Sequence, residues 1–327
     1  MLWLPILLFA VGLVALIKGG DWFVDGATGL AHRFHAPEIL IGATVVSIGT
    51  TLPEVMVSAT SALEGNGSMA YGNAIGSVIC NTALIAAVTM AIRPGAVDKK
   101  SFKTPVIYFF LAAAFYMAVA YLTGTFSRWV GIVLLALFLL YMVVTVRKAF
   151  AGEREGAGPE EAGELPAESA SPLWRDLLWL VLGAALIAVG ARLLVDNGTK
   201  IAVGLGVPDT VIALTFVALG TSLPELVTAV SALVKGHSAL SVGNIVGANL
   251  FNLVLVSGLS TTLSPFDVPA EKTLAGCNAS LVVDLPLMVL VMGLMTLPAL
   301  KSGKLHRWQG VALLLIYAGF CVFQFAF

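Results

Sequence analysis

Charge is what this chain of 327 residues has least of: Asp, Glu, Lys and Arg make up 11% of it, while 58% is hydrophobic. A soluble domain carries about 25% charged residues, so an ordinary cytosolic globule is excluded. The net charge of −1 says little, because position along the chain matters more than the sum. Cysteine is scarce too. Cys80, Cys277 and Cys321 stand singly in apolar surroundings with no CxxC pair, and are expected as small buried hydrophobes. The four histidines, His32, His35, His237 and His306, lie at the ends of apolar runs or between them, which argues against a zinc or copper centre in the core. There is no HExxH, no phosphate loop and no Ser/His pairing within the apolar runs. An enzyme is therefore not expected, nor a catalytic residue, a cofactor or a nucleic-acid partner. The opening run, MLWLPILLFAVGLVALIKGG, lacks a basic leader and a clear small-residue cleavage pattern, so it is expected to be the first span of the mature protein.

What the chain does have is a succession of apolar runs of spanning length. They predict an all-α polytopic membrane protein of ten transmembrane helices, near 2–31, 37–63, 69–92, 105–123, 128–149, 173–203, 208–234, 239–263, 278–299 and 306–326. The stretch 151–172 is rich in Glu, Ala, Gly and Pro and predicts a solvated, mobile acidic linker. It divides a first five-helix repeat, 1–150, from a second, 173–327. Of the 18 Lys and Arg, 13 fall on the side of connections 1–2, 3–4, 5–6, 7–8 and 9–10, 3 on the opposite side, and Lys18 and Arg192 within spans. Basic residues gather on the cytoplasmic side, so both termini are expected outside and the linker in the cytoplasm.

The halves align without a gap at an offset of 171. Residues 16–88 set on 187–259 agree at 20 of 73 positions, concentrated in Gly, Pro, Asn, Glu and Thr. WFVDGATGLA lies over LLVDNGTKIA, IGTTLPEVMVSATSALEG over LGTSLPELVTAVSALVKG, and YGNAIGSVICNTALI over VGNIVGANLFNLVLV. Five spans per repeat is an odd number, so the second repeat enters the membrane from the opposite side. Sites in such inverted-repeat carriers lie at the midplane, where helices are interrupted.

Two motifs carry chemistry. In GTTLPE, Gly49–Glu54, Pro53 has no N–H, so the Gly49 carbonyl is expected to lose its helical partner and the helix to break. Ser47, Thr51, Glu54, Ser58 and Ser61 recur every three or four positions and form one polar stripe. The equivalent segment, Gly220–Glu225, offers Thr221, Ser222 and Glu225. In the third span Asn73, Ser77 and Asn81 share a face, and Gly72 and Gly76 form a GxxxG pair expected to admit another helix. Their equivalents are Asn244, Ala248 and Asn252, with Gly243 and Gly247. A glutamate at membrane depth is costly and marks function by default. Two at equivalent positions would meet near the axis as ion ligands or as protonated packing groups, and the doubled pattern favours ligands. Two carboxylates among carbonyls, hydroxyls and amides suit a hard cation such as Ca²⁺. Asp25 and Asp196 are also equivalent and are expected to cap helices or to pair with Lys18 and Arg192. Asp284, ahead of Pro286, is expected to be structural.

The doubled set, GTTLPE with GNAIGSVICN and GTSLPE with GNIVGANLFN, resembles the two alpha-repeats of the cation/calcium exchanger superfamily, and most closely the prokaryotic sodium/calcium exchangers. The resemblance implies an integral protein of a prokaryotic inner membrane, with the lipid bilayer as its surroundings and Ca²⁺ and Na⁺ as transported ions. It implies Ca²⁺ ligands at Glu54, Glu225 and the backbone oxygens of Thr50 and Thr221, with Asn81 and Asn252 completing the centre. It implies one flanking Na⁺ site at Ser47, Thr51 and Ser77, and another at Ala218, Ser222 and residue 248. It also implies that the first and sixth spans slide over the rest. Two departures stand out. Asn occupies both 81 and 252, where some members have one Asp. Ala248 replaces the family's serine and removes a hydroxyl from one Na⁺ site. The expected activity is Ca²⁺/Na⁺ antiport by alternating access. H⁺/Ca²⁺ antiport on the same fold is the alternative, and a cation channel a more distant one.

Overall fold

The computed structural model describes residues 3–34, 36–152, 172–205 and 220–326. These residues hold ten helices: α1 Trp3–Arg33, α2 Glu38–Leu63, α3 Gly67–Ile92, α4 Lys99–Thr123, α5 Arg128–Gly152, α6 Leu173–Gly204, α7 Leu223–Val234, α8 Ser238–Leu263, α9 Ser280–Ser302 and α10 Arg307–Ala326. Eight are long and apolar enough to cross a membrane, the exceptions among the ten being α7 and α10. Of the expected seventh span, 208–234, the described part begins at Gly220, and most of the linker lies outside the described residues. The strands among the described residues form two-residue ribbons: Thr125–Phe126 pairs antiparallel with Phe266–Asp267, and Thr273–Leu274 with Cys277–Asn278.

Helix ends follow local chemistry. Asp98 caps α4 by accepting from the backbone N–H groups of Lys100 and Ser101, at 3.1 and 2.9 Å. Partial burial pushes its carboxyl pKa up, but those bonds and the nearby Lys100 charge outweigh it and hold the group below its ordinary value. The glycines after α4 and α9, Gly124 and Gly303, take φ of 68° and 76°, the left-handed turn glycine accepts without strain.

The sequence leads one to expect a break at Pro53. The structure places the irregularity elsewhere: α2 remains helical through Pro53, and its first turns, Gly42–Val46, are a π-helix. The equivalent motif does break, because α7 starts at Leu223 with Pro224 in its first turn, where a missing N–H costs nothing. Of three further π segments among the described residues, one opens α9 at Ser280 and the other two begin at Asn81 and Asn252, the equivalent asparagines. A π turn takes one extra residue and leaves a carbonyl short of its usual partner. Ser47 Oγ donates to the Gly42 carbonyl at 2.7 Å, and Ser257 Oγ to that of Asn252 at 3.2 Å. Each hydroxyl sits five residues on and adds a second bond to a carbonyl that the backbone N–H of the same serine also reaches.

Packing divides into two apolar clusters. The larger gathers α2–α5 with α7–α10; the smaller holds α1 and α6 against parts of α2, α7 and α8. The α1–α6 seam is built on glycine at sevenfold spacing. A Cβ on Gly19 would stand 2.8 Å from the Ile187 nitrogen, one on Gly26 2.5 Å from that of Leu180, and one on Gly183 2.4 Å from that of Phe23. The outer surface of α1 exposes Leu4, Ile6, Leu7, Val11, Val14 and Ile17, as contact with lipid requires.

The turn between α7 and α8 grips α1 and α2. Lys235 Nζ donates to Asp25 Oδ1 at 2.7 Å and to the Asp21 carbonyl at 2.8 Å. Asp25 is thus paired with Lys235 rather than Lys18, while Asp196 pairs with Arg192 at 3.7 Å as anticipated. The imidazole of His237 lies 2.7 Å from Glu38 Oε1. That hydrogen bond, aided by the Glu38 charge, raises its pKa against the opposing effects of partial burial and Lys235. Because the folded-state value is raised, the contribution to stability is complete below the ordinary imidazole range and fades as pH climbs through the raised value. Raising pH from about 6 to about 8 should lower the unfolding temperature of the detergent-solubilised protein more than that of His237→Gln. Equal slopes in the two proteins would remove the tie from the stability account. The cysteines divide: Cys80 is buried as expected, Cys277 is exposed and Cys321 partly so.

Candidate cation site

The two motifs meet in the interior. Glu54 and Glu225 are fully buried, and Thr50, Thr51, Ser47 and Ser222 are at most 2% exposed. The two carboxyls stand within Coulombic reach of each other. The hydroxyls of Thr50 and Thr51, on α2, face the Glu225 carboxyl on α7, but neither Glu225 oxygen has a hydrogen-bond partner of acceptable geometry. Asn81 and Asn252 are fully buried. The π segment of each packs against helices of the opposite half, that of Asn81 on α7 and α8 and that of Asn252 on α2 and α3. Ser77 is buried, Thr221 is partly exposed, and Ala218 lies outside the described residues.

The polar atoms of these residues are largely unspent. Both oxygens of Glu54 and of Glu225, the hydroxyls of Thr51 and Ser222, and the carboxamides of Asn81 and Asn252 are buried without a hydrogen-bond partner. Folded proteins satisfy nearly all buried polar atoms, and each orphan asks for a reason. Here the orphans fall on six of the residues the sequence singled out. A hard cation answers that need, since it takes six to eight oxygen ligands from carboxylates, amides, hydroxyls and carbonyls.

The motif glycines have a role that helix weakening does not cover. A Cβ on Gly49 would stand 2.8 Å from Phe23 Cζ of α1, and one on Gly220 2.6 Å from Val195 Cγ2 of α6. They are seats on which the α1–α6 pair rests directly beside Thr50 and Thr221. A cavity of about 620 Å³ follows this seam, bordered by Thr50, Pro53, Thr221 and Pro224 on one side and by Arg192 and Asp196 on α6. The GxxxG expectation holds in the second half: Cβ atoms on Gly243 and Gly247 would meet Ile39 and Ala43 backbone at 2.3 and 2.6 Å. For Gly72 and Gly76 nothing among the described residues lies within 4 Å, and the equivalent contacts would fall at 210 and 214, outside them. Asp284 accepts from Gln324 at 3.4 Å beside a separate cavity of about 360 Å³.

Sequence reasoning set Asn73 and Asn244 on the right faces but gave them no part. They bind the motif residues directly. Asn244 Oδ1 accepts from Thr50 at 3.2 Å, and Asn73 Nδ2 donates to the Glu54 carbonyl at 3.2 Å. Their spacing of eight from Asn81 and Asn252 was the available signal. Cys80 was missed as well; its thiol faces Ser222 and Glu225.

Comparison with known proteins agrees along most of the chain. The sequence model of the family described as Sodium/calcium exchanger protein matches residues 4–147 and 176–326. The inner membrane protein YrbG of Escherichia coli (strain K12) is 37% identical over 264 residues, 80% of each chain. The sodium/calcium exchanger MaX1 of Methanosarcina acetivorans is 28% identical over an alignment covering 98% of both. The solved structure of the sodium-calcium exchanger NCX_Mj superposes with a TM-score of 0.80 at 32% identity, over 97% of this chain and 98% of that one.

Proposed function

This chain belongs to the sodium/calcium exchanger protein family, and from that premise we propose that it is a secondary active antiporter exchanging Ca²⁺ for Na⁺ by alternating access at one shared midplane site. The observation that carries this reading is the gathering of buried, unpartnered oxygens from both motifs on Glu54, Glu225, Thr51, Ser222, Asn81 and Asn252. Glu54, Glu225 and the backbone oxygens of Thr50 and Thr221 would hold Ca²⁺, with Asn81 and Asn252 beside them. Ser47, Thr51 and Ser77 would take Na⁺ on one flank, and Ala218 and Ser222 on the other. The ten helices would form two inverted five-helix repeats, 1–150 and 173–327, joined by a cytoplasmic linker at 151–172, with both termini outside.

Ca²⁺ and Na⁺ compete for the same carboxylates and so bind in turn. A site with uncompensated charge resists moving through the low-dielectric interior, which couples the two fluxes. The separate apolar cluster under α1 and α6, and their glycine seats on both motifs, support these two helices as the sliding element. Proteoliposomes loaded with Na⁺ should take up ⁴⁵Ca²⁺ when diluted into Na⁺-free buffer, and should release ²²Na⁺ as they do so. Uptake driven equally by a pH gradient without Na⁺ would replace this reading with H⁺/Ca²⁺ antiport.

Ala248 is fully buried where the other half has Ser77. Restoring the hydroxyl with Ala248→Ser should lower the Na⁺ concentration for half-maximal exchange by about threefold to tenfold, the worth of one added polar contact. An unchanged Na⁺ dependence would remove residue 248 from the Na⁺ site.

A further inference from the structure

We propose that Asn73 and Asn244 are positioning residues that hold the hydroxyl protons of Thr221 and Thr50 away from the glutamates, so that these two hydroxyls turn only lone pairs towards the ion site. The proposal rests on the exchange reading above and deepens it.

The two asparagines make equivalent sets of bonds. Asn244 Nδ2 donates to Thr228 Oγ1 on α7 at 2.9 Å, and that hydroxyl in turn reaches the carbonyls of Pro224 and Glu225 at 2.8 and 3.1 Å. Asn73 Nδ2 donates to Ser58 Oγ at 2.8 Å and to the Glu54 carbonyl at 3.2 Å, both on α2. Each amide nitrogen therefore anchors the glutamate helix of its own half. Each amide oxygen crosses to the other half: Asn244 Oδ1 accepts from Thr50 Oγ1 at 3.2 Å, and Asn73 Oδ1 from Thr221 Oγ1 at 3.4 Å. A threonine hydroxyl has one proton and two lone pairs. With the proton committed to asparagine, Thr50 cannot also donate it to the Glu225 carboxyl it faces. That explains why Thr50, beside Glu225, gives it no hydrogen bond. Oxygen lone pairs facing a carboxylate repel it, and a cation between them turns the repulsion into ligation. The asparagines, with donor and acceptor both in use, set the geometry without being ligands.

The test is equilibrium ⁴⁵Ca²⁺ binding to the purified full-length protein, which does not depend on the coupling ion. Asn244→Ala and Asn73→Ala should each weaken Ca²⁺ binding about tenfold. Thr50→Val should do the same in the wild-type background and cost nothing further in Asn244→Ala, because the two act through one proton. Thr50→Ser, which keeps the hydroxyl, should recover most of the affinity that Thr50→Val loses; the pair decides the matter if an asparagine variant fails to fold. Additive losses in the double variant, or wild-type affinity in Asn244→Ala, Asn73→Ala and Thr50→Val alike, would overturn the positioning role while leaving the Ca²⁺ site standing. A wild-type protein with no Ca²⁺ affinity would instead sink the exchange reading, and this proposal with it.

Discussion

Replacing either Glu54 or Glu225 with Gln is expected to abolish Na⁺-driven Ca²⁺ uptake in proteoliposomes. Glutamine keeps the size of the side chain and one of its oxygens, so packing is preserved and only a charge is removed. A Ca²⁺ ion facing one carboxylate instead of two is left with uncompensated charge in a fully buried site. Removing one partner of a buried charge pair costs about 3–5 kcal/mol, or roughly two to three orders of magnitude in affinity. A second measurement separates a ligand from a packing group. The carboxyls repel each other and have no hydrogen-bond partners among the described residues, so Glu54→Gln should unfold in Ca²⁺-free detergent at no lower temperature than the wild type. Its stabilisation by added Ca²⁺ should vanish, since only a bound ion shifts the midpoint. Substantial uptake by either variant would overturn the assignment.

Gly183→Val is expected to cost nearly as much, although Gly183 offers no side-chain oxygen to an ion. The new Cβ would lie 2.4 Å from the Phe23 nitrogen, 2.7 Å from its Cα and 2.8 Å from the Gly19 carbonyl oxygen. All three are backbone atoms that no rotamer change can move aside. Overpacking of this kind costs typically about 1–3 kcal/mol, and here it would spread the α1–α6 pair that rests on Gly49 and Gly220. Exchange should fall at least about tenfold, with an unfolding temperature several degrees lower. Gly319→Ala, with nothing within 4 Å of its Cβ, should leave both unchanged. Wild-type exchange in Gly183→Val would show that the close seam is not needed for transport.

Most of the helical layout, and the meeting of Glu54 with Glu225 in the interior, were legible because membrane helices leave little room for chance. An isolated Glu, Pro or Asn in an apolar run is expensive, and the same expensive residues twice at one offset point to a shared site. What could not be read depends on how the helices meet. Pro53 signals a break, yet α2 stays helical there and widens earlier, at Gly42–Val46. No residue type marks a π turn, because i to i+5 backbone bonds can form in any sequence. The hydroxyls of Ser47 and Ser257 reinforce two of these turns, but serine is too common in these spans to signal one. The sequence marks Gly49 only through the break expected at Pro53; its role as the seat of Phe23 requires knowing which helix lies across it. It sets Asn73 and Asn244 on a polar face, but their bonds to the motif threonines and glutamate helices depend on how the helices meet. Asp25 found Lys235, 210 residues away, rather than a neighbour on its own helix.

Among the described residues, that grip of Lys235 on Asp21 and Asp25 has no counterpart 171 residues away. The position equivalent to Lys235 is Glu64, and the position equivalent to Asp21 is Arg192, which turns to Asp196 on its own helix. In the proposed exchange cycle, with α1 as part of the sliding element, the two half-cycles would then have unequal barriers: leaving the clasped posture requires tearing ion pairs apart, and returning to it re-forms them. Such a machine would have a preferred resting pose, and its forward and reverse turnover would respond differently to ionic strength.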